Sequence, residues 1–352
     1  MKSGILVIDK PQGVTSHDLV AAVRAQLGIR KVGHAGTLDP MATGALIIGF
    51  GQATRLLNVI VDHDKTYETT IRLGQATQTD DAEGTVLPSP PQVVERIERV
   101  TQSQVENIIA NHYTGNIQQV PNAYSAIKVD GKRAYELARQ GQVVALKARN
   151  INVSEYSLLG FKRTVADNGQ AVIDIQARIS CSSGTYIRAL GRDLGRELGV
   201  GGHLTYLRRT RVGRFDISNV SLSQHVLTAH VVPHTFRDRE GLYQTKNKAI
   251  LDQDRAQILA RAISLVQGAK MAMPSLPVSL EQAQALEHGQ FLNLPLTEPA
   301  AAVLTLEDKE EHLIALVEPR GKDTAKPSAV FPFEPTYNKP IQEASGKQIG
   351  SR

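Results

Sequence analysis

The stretch Gly33-His-Ala-Gly-Thr-Leu-Asp-Pro-Met-Ala-Thr-Gly44 carries three glycines, a proline and a single carboxylate, Asp39, between two apolar runs. Glycine allows sharp turns and close approach of the backbone, and Asp-Pro initiates turns. The stretch therefore predicts a tight loop that fixes one carboxylate. The following run, Ala45-Leu-Ile-Ile-Gly-Phe50, predicts a buried strand that anchors the loop. Because Asp-Pro loops are more often structural than chemical, a catalytic assignment needs support from the rest of the chain.

The composition bounds the class of protein. The chain has 352 residues, enough for one large and one small domain, and its 41% apolar and 21% charged content is ordinary for a soluble globular protein. The single cysteine, Cys181, excludes a disulfide framework and a cysteine-built zinc site. The N-terminal run Met1 to Asp9 does not resemble a signal peptide, and no apolar run is long enough to span a bilayer. These features predict a cytoplasmic protein without membrane association.

The charge balance is basic, with a net charge of +5 and a sequence pI near 9.2. Two clusters contribute to it: Arg208–Arg211 with Arg214, and the basic residues of Lys128–Arg139. A basic run is usually only a solvated surface, but two such runs in a basic chain favour a nucleic-acid partner equally well.

The remaining patterns alternate between strands and short helices. Thr15 and Asp18 predict a capping box for a helix that ends at Gly28. Thr66–Leu73 alternates as a strand, with Tyr67 on one face. A later helix places Arg188 and the next two arginines at every fourth residue, which predicts a positively charged ridge or, equally, a solvent-exposed side.

The character of the chain changes near residue 226. The segment 226–271 is helical and loop-like and predicts a connector between domains. A small unit over 272–335 begins with a capping box at Ser279 and contains strand-like runs. Residues 336–352 are polar and predict a disordered tail.

Seven short motifs follow one another along the chain: Lys10-Pro-Gln-Gly-Val-Thr-Ser16, Gly33-His-Ala-Gly-Thr-Leu-Asp-Pro40, Lys65-Thr-Tyr67, Tyr124-Ser-Ala-Ile-Lys128, Gly131-Lys-Arg-Ala-Tyr135, Gly184-Thr-Tyr-Ile-Arg188 and His203-Leu-Thr-Tyr-Leu-Arg-Arg209. Any one motif is weak, but all of them in order are specific. Together they resemble the bacterial tRNA pseudouridine-55 synthases, the TruB family, over nearly all of residues 4–215.

The resemblance implies an α+β fold. Residues 1–225 would form a pseudouridine synthase catalytic domain with a mixed, mainly antiparallel sheet. After the connector over 226–271, residues 272–335 would form a small PUA-like β domain that grips the acceptor stem of tRNA. The chain would act as a monomer without an obligate protein partner.

The implied reaction is the isomerisation of uridine 55 in the tRNA T-loop to pseudouridine. The bond from the sugar C1′ to N1 of the base breaks, the base turns, and C5 joins C1′. Because this reaction changes no oxidation state, the family needs no cofactor or metal. The chain accordingly carries no phosphate-binding glycine motif and no zinc-ligand spacing. A cluster formed by His225, His230 and His234 does not have a familiar metal-ligand pattern.

The resemblance also assigns the catalytic residues. Asp39 matches the nucleophile, and Arg188 matches its cation, whose planar guanidinium suits a bidentate contact. We expect this pairing to keep the pKa of Asp39 near or below about 3.9 despite burial. Tyr67 matches the tyrosine that stacks on the flipped uracil, and Tyr186 and Leu207 match positions that line the uracil pocket. For Leu207, simple core packing is nearly as good an interpretation.

Further substrate contacts are implied. His34 matches a histidine that packs against displaced T-loop bases, although a histidine in a glycine-rich turn is more often structural. Asp81 matches an acidic residue that holds Arg188 or the RNA. Arg209 and Lys128, with Lys132 and Arg133, are candidate phosphate-binding residues. One departure from the family is Val120-Pro-Asn122, which replaces a commoner double proline.

Three other functions are considered. A dyskerin-like, guide-dependent synthase shares the motifs, but this chain lacks that class's lysine-rich tail. An RNA-binding or folding protein could keep the fold while its chemistry is dispensable. A glycoside hydrolase would require a general acid paired with Asp39, and the loop that holds Asp80 and Asp81 carries no such signature.

Overall fold

The computed structural model describes residues 3–332, apart from 126, 130, 143 and 239. The predicted tail, 336–352, lies outside the described residues. The chain divides into two compact units, with the boundary between Met273 and Pro274.

The first unit is built on one mixed, mainly antiparallel sheet. Its strands are β1 (Gly4–Lys10), β2 (Val32–Ala35), β3 (Thr43–Phe50), β4 (Lys65–Leu73), β5 (Gly115–Gln119), β8 (Arg149–Val165), β9 (Ala171–Cys181), β10 (Gly202–Val212), β11 (Phe215–Asp216), β12 (Val226–Arg237) and β13 (Tyr243–Leu251). In the described residues the strand order is β13-β12-β1-β3-β10-β4-β9-β8-β5, with β2 paired to β3 and β11 paired to β10. Only the β1–β12 and β3–β10 pairs among these strands run parallel. A separate two-stranded hairpin pairs β6 (Lys128–Val129) with β7 (Lys132–Arg133).

Helices cover this sheet. They are α1 (Ser16–Leu27), α2 (Leu57–Val61), α3 (Pro91–Arg99), α4 (Gln102–His112), α5 (Ala134–Arg139), α6 (Ile187–Glu197), α7 (Val220–Ser223), α8 (Arg255–Arg261) and α9 (Leu265–Ala272), with a 3-10 helix over Gly51–Leu56. The predicted capping box of α1 forms, and Gly28 ends that helix in the left-handed conformation.

The predicted strand after the glycine-rich loop lies at the centre of the sheet. Leu46, Ile48 and Phe50 of β3 pack with apolar residues of α1, and Ile47 on the other face is also fully buried. Burial on both faces explains why this strand is continuously apolar and does not alternate. The loop that carries Asp39 thus leads directly into a strand that is buried on both faces.

The segment 226–271 differs from the predicted connector. It begins with β12 and β13, which extend the sheet next to β1, and continues with α8 and α9 inside the first unit. Strand β12 forms by pairing with β1, which lies more than 200 residues away in sequence. A local sequence pattern does not reveal such a distant partner.

The second unit, which begins at Pro274, is a small β domain. Its strands are β14 (Ser275–Val278), β15 (Ala300–Thr305), β16 (Glu311–Pro319) and β17 (Ala325–Val330), in that order in one sheet. Helix α10 (Leu280–Glu287) buries Ala283 and Leu286 in an apolar cluster with β15 and β16. The capping box predicted at Ser279 forms at the start of this helix.

Candidate active site

A buried lysine holds the loop between β2 and β3. The ammonium group of Lys10 donates to the carbonyls of Pro40 at 3.2 Å and Ala42 at 2.6 Å. Both residues lie in the part of the loop that follows Asp39. Lys10 is fully buried, and this burial lowers its pKa to about 8. The backbone N–H of Gly13 also donates to Pro40 O at 2.8 Å. The turn after β1 therefore fixes the carboxyl-terminal half of the loop.

A buried arginine holds the other half of the loop. Arg209 donates from Nε to Ala45 O at 2.8 Å and from Nη2 to Gly36 O at 3.0 Å. Its side chain is only 1% exposed, so it presents no surface to a phosphate. The prediction that Arg209 binds phosphate is therefore corrected: its charge supports the loop. At Gly44, where φ is +100°, an added Cβ would lie 2.2 Å from Arg209 O, so this position requires glycine.

Asp39 projects from this loop toward helix α6. Its Oδ2 lies 3.0 Å from Nε of Arg188, and its side chain keeps about a third of its surface, 35%, accessible. Burial raises the pKa of Asp39 and the negative charge of Asp81 raises it further, while Arg188 lowers it. The expectation of a pKa near or below the ordinary value is thus wrong, because the desolvation of the carboxylate outweighs its pairing.

Arg188 bridges two carboxylates and does not form a bidentate pair with one. Its Nη1 lies 3.1 Å from Asp81 Oδ2 and also donates to Thr79 O, while Nη2 donates to Tyr124 O at 3.1 Å. Arg188 is 6% exposed and Asp81 is 2% exposed. Of the two roles predicted for Asp81, holding Arg188 or contacting RNA, the geometry fits the first. The Asp81 carboxylate is buried and is not exposed to RNA.

Two further polar residues near Arg188, Asn122 and Asp80, were not predicted from the sequence as site residues; they are here called the second layer. The amide of Asn122 donates to Thr79 O at 2.8 Å and to Asp80 Oδ2 at 2.5 Å, and its oxygen accepts from the backbone N–H of Tyr124. Asn122 thus links the same two segments that Arg188 links. The proline-to-asparagine departure from the family motif was the only sequence signal for it.

Asp80 belongs to this layer and has an unusual backbone. Its φ is +59°, in the left-handed region, and its Oδ2 lies 3.3 Å from Nη1 of Arg192. Burial raises the pKa of Asp80 to about 6. The three arginines predicted to form a ridge on α6 therefore differ in exposure. Arg188 and Arg192 form ion pairs with carboxylates of the site, whereas the side chain of Arg196 is 74% accessible.

Two tyrosines lie close enough for the charge of Asp39 to affect them. Burial raises the pKa of the Tyr67 and Tyr186 hydroxyls, and the carboxylate of Asp39 raises both further. Tyr67 is 7% exposed and faces Arg209 across the β4–β10 pair, whereas Tyr186 is half-buried. The side chain of Gln119 clamps the backbone of Tyr186 from both sides, with bonds of 2.8 and 3.0 Å.

The other predicted substrate residues lie in different environments. Leu207 is 4% exposed and packs in the main apolar cluster with Leu38 and Tyr67, which is core packing at the rim of the site. His34 is partly buried with its ring edge-on to that of His17 at 6.2 Å, and burial lowers its pKa, which favours the neutral ring. Lys128, like Lys132 and Arg133, is exposed on the separate β6–β7 hairpin.

The three histidines near residue 230 do not converge. His225 contacts the carbonyl of Arg261, His230 pairs with Asp252 at 2.6 Å, and His234 stacks on Phe236. Among the residues that the structure describes, no cluster of acidic, histidine and cysteine side chains has the arrangement of a metal site. In the same part of the chain, every helix is too short or too polar to cross a membrane.

Comparison with known proteins defines the class. Residues 24–187 match the family model for the TruB family pseudouridylate synthase N-terminal domain, and residues 188–252 match that for the tRNA pseudouridylate synthase B C-terminal domain. A solved structure titled "Crystal Structure of a Cbf5-Nop10-Gar1 Complex" aligns with a TM-score of 0.60 at 21% identity, covering 94% of this chain and 84% of that one. The fold is that of a pseudouridine synthase.

Closer relatives define the family. A tRNA pseudouridine synthase B of Bifidobacterium longum subsp. infantis is 45% identical over 94% of this chain and 98% of its own length. One from Thermobifida fusca is 52% identical over 63% of this chain and 73% of its own length. The chain belongs to the TruB family.

Proposed function

We propose that this protein isomerises uridine 55 in the T-loop of tRNA to pseudouridine. The observation that carries the proposal is the carboxylate of Asp39, accessible on a loop held by Lys10 and Arg209 and 3.0 Å from the buried guanidinium of Arg188. The relatives that share most of this chain are named tRNA pseudouridine synthase B, which supports tRNA as the substrate.

Asp39 is the proposed nucleophile. The carboxylate attacks C1′ of the ribose, or removes the C2′ proton on a glycal route, and in either case the bond to N1 breaks with its electron pair leaving on the base. The freed uracil turns and forms the C5–C1′ bond, which displaces the Asp39 carboxylate from C1′ or, on the glycal route, accompanies the return of the proton to C2′. The C5 proton is then lost to solvent while N1 gains one. Because reactant and product are isomers, the balance requires no cofactor, oxidant or metal.

The uridine has to leave its loop for this chemistry. A stacked nucleotide hides its glycosidic bond, so we propose that the enzyme flips it out of the stack toward Asp39. Tyr67 would supply a flat surface for the base, worth about 1–3 kcal/mol of stacking. Its hydroxyl stays protonated, since burial raises its pKa, and would assist removal of the C5 proton. Tyr186 would contact the same base.

Arg188 is the proposed positioning cation. Its four contacts to protein oxygens fix the guanidinium, which would hold the Asp39 carboxylate in one orientation. The exposed Lys128, with Lys132 and Arg133, would contact RNA phosphates, and His34 would pack against displaced bases. The small β domain from Pro274 would bind the acceptor stem, and we propose that the chain needs no protein partner.

The test uses a tRNA transcript labelled with tritium at C5 of uridine. The wild type should release one tritium per tRNA, and Asp39→Asn, nearly isosteric but unable to act as an anionic nucleophile, should release none while its affinity for tRNA stays within a few-fold. Turnover by Asp39→Asn would refute the assignment of the nucleophile. No release from either protein, with tight binding intact, would instead indicate an RNA-binding protein that has lost the chemistry.

A further inference from the structure

Strands β12 and β13 extend beyond the main sheet as a two-stranded ribbon. In the described residues β12 pairs with β1 only over Val226–Thr228, but it pairs with β13 from Ala229 to Arg237. Since β12 runs parallel to β1, the residues after Thr228 continue past the end of β1, by about 30 Å at the usual rise of a strand. Residues 229–237 and 243–251, here called the ribbon, thus project at the sheet edge where the turn after β1 holds the Asp39 loop.

The inner face of the ribbon is anchored. Ala249 and Leu251 are buried in the apolar cluster that includes α1, with Val231 packed against it. The side chain of Asn247 donates to the carbonyl of Gly13 at 2.9 Å, and Gly13 in turn donates to Pro40. The ribbon is therefore fixed to the same turn that fixes the catalytic loop.

The outer face is basic and partly aromatic. Directly paired residues share a face, and the register places the pairs His230–Ile250, Val232–Lys248, His234–Lys246 and Phe236–Gln244 on this side. Lys246 lies 5.2 Å from the centre of the Phe236 ring, and His234 stacks on the same ring at 6.1 Å. Both lysines are exposed and form no ion pair in the part of the chain that the structure describes.

The carboxylates near this face are already engaged. Asp252 pairs with His230 at the base of the ribbon. Asp238, at the tip, accepts bonds from the backbone of Glu240 and Leu242 and from Gln244, and these bonds lower its pKa. Between Asp252 and the tip, the outer face carries the positive charges of Lys246 and Lys248, while the acidic residues Asp238 and Glu240 lie at the tip.

We propose that the outer face of the ribbon binds the phosphate backbone of the substrate RNA, with Lys246 and Lys248 as the phosphate contacts. Exposed lysines that have no ion-pair partner bind an RNA backbone without reading its sequence. The position of the ribbon beside the catalytic loop, its projection from the sheet and the charge of its outer face are the supporting observations. The inference rests on the proposed function for the identity of the RNA.

A second interpretation of the lysines is protective, because lysine on an edge strand discourages pairing with other chains. The two interpretations differ in their effect on RNA affinity.

Lys246→Ala/Lys248→Ala should bind a full-length tRNA transcript about tenfold more weakly at moderate salt, and the slope of log K against log salt should become shallower by about 2. Lys246→Arg/Lys248→Arg should retain both the wild-type affinity and the slope. Lys162→Ala, exposed on β8 toward the opposite edge of the sheet, removes one lysine charge away from the ribbon and, as a control, should change neither.

The experiment is filter binding across a salt series, with thermal unfolding to confirm that the variants fold. Wild-type affinity and slope in the double alanine variant would overturn the proposal, as would an equal loss in the double arginine variant. Tritium release at saturating tRNA should stay at the wild-type rate. If the wild type released no tritium while the alanine variant still lost affinity and slope, the proposed reaction would fail and the RNA-binding face would stand.

Discussion

The guanidinium of Arg188 lies between two carboxylates, with Nε 3.0 Å from Asp39 Oδ2 and Nη1 3.1 Å from Asp81 Oδ2. One buried cation therefore serves two acids that differ in exposure: about a third of the Asp39 side chain is accessible, and almost none of the Asp81 side chain. The accessible acid is the one available to a substrate. The buried acid fixes the cation and also raises the pKa of its neighbour.

Asp81→Asn should shift the pH dependence of the reaction. Asp39 acts in its ionised form, so activity is present above its pKa and is lost as the pH falls through it. Removing the negative charge of Asp81 lowers the pKa of Asp39, and the acid limb of kcat should move to lower pH. The rate above that limb should fall about tenfold, because Arg188 loses a charged hydrogen bond.

The control for this profile is Asp193→Asn, also on a buried carboxylate, which pairs with Arg192 and Arg196 and not with Arg188. It should leave the acid limb in place. A limb that stays fixed in Asp81→Asn, measured by tritium release from pH 4.5 to 8, would contradict the electrostatic account.

The loop and the strand that supports it could be predicted from local sequence. Glycines and Asp-Pro indicate the loop, and the apolar run Ala45–Phe50 indicates the strand, because these features lie within single elements. The pairing of Asp39 with Arg188 was predicted only from the resemblance to the TruB family, since the local pattern fits a solvent-exposed arginine equally well.

What the sequence did not reveal depends on long-range contacts. Arg208 and Arg209 are adjacent in one basic run, yet Arg208 pairs with Asp9 near the surface and Arg209 is buried against Gly36 O, 173 residues away. Strand alternation separates the two faces, but only the fold shows which face meets a loop that needs a cation. The ribbon was missed for the same reason, and the pKa of Asp39 was misjudged because the extent of desolvation is a tertiary property.

Removal of the second unit should separate binding from chemistry. All residues of the candidate site lie before Pro274, and the second unit has its own apolar cluster. A chain ending at Met273 should bind full-length tRNA at least about tenfold more weakly, since one of two linked contacts is lost. Its affinity for a T-arm stem-loop that lacks the acceptor stem should not change, nor should its single-turnover rate at saturation. Equal affinity of the shortened and full chains for tRNA would rule out the proposed acceptor-stem contact.

Asp80→Asn should stabilise the protein above pH 6 and not near pH 4. In the unfolded chain this carboxyl ionises above its ordinary pKa of 3.8, but in the folded chain it ionises only above about 6, so its contribution to stability falls as the pH rises through that window. This difference in pKa corresponds to a charging cost of about 3 kcal/mol. Asparagine removes the charge, keeps a hydrogen bond to Asn122 and tolerates a φ of +59°.

Loss of the Arg192 contact offsets part of that gain, so we expect an increase in the free energy of unfolding of about 1–2 kcal/mol at pH 8. Urea titrations at pH 8 and pH 4 measure it. An equal increase in the free energy of unfolding at both pH values would show that the increase comes from the backbone conformation at position 80 and not from removal of the charge.

Asn122→Ala should reduce the rate more than the binding of substrate. The amide joins the segment at Thr79 to the segment at Tyr124, and both supply a carbonyl to Arg188. Without it the partly buried N–H of Tyr124 loses its acceptor, at a cost of about 1 kcal/mol in stability, and Arg188 gains freedom to move away from Asp39. We expect kcat to fall about tenfold with KM nearly unchanged, because an interaction that orients the nucleophile acts in the transition state. Gln118→Ala, exposed on the neighbouring strand β5, is the matched control and should alter neither constant. A variant with reduced stability and a normal kcat would show that Asn122 supports the fold of these segments without orienting the arginine.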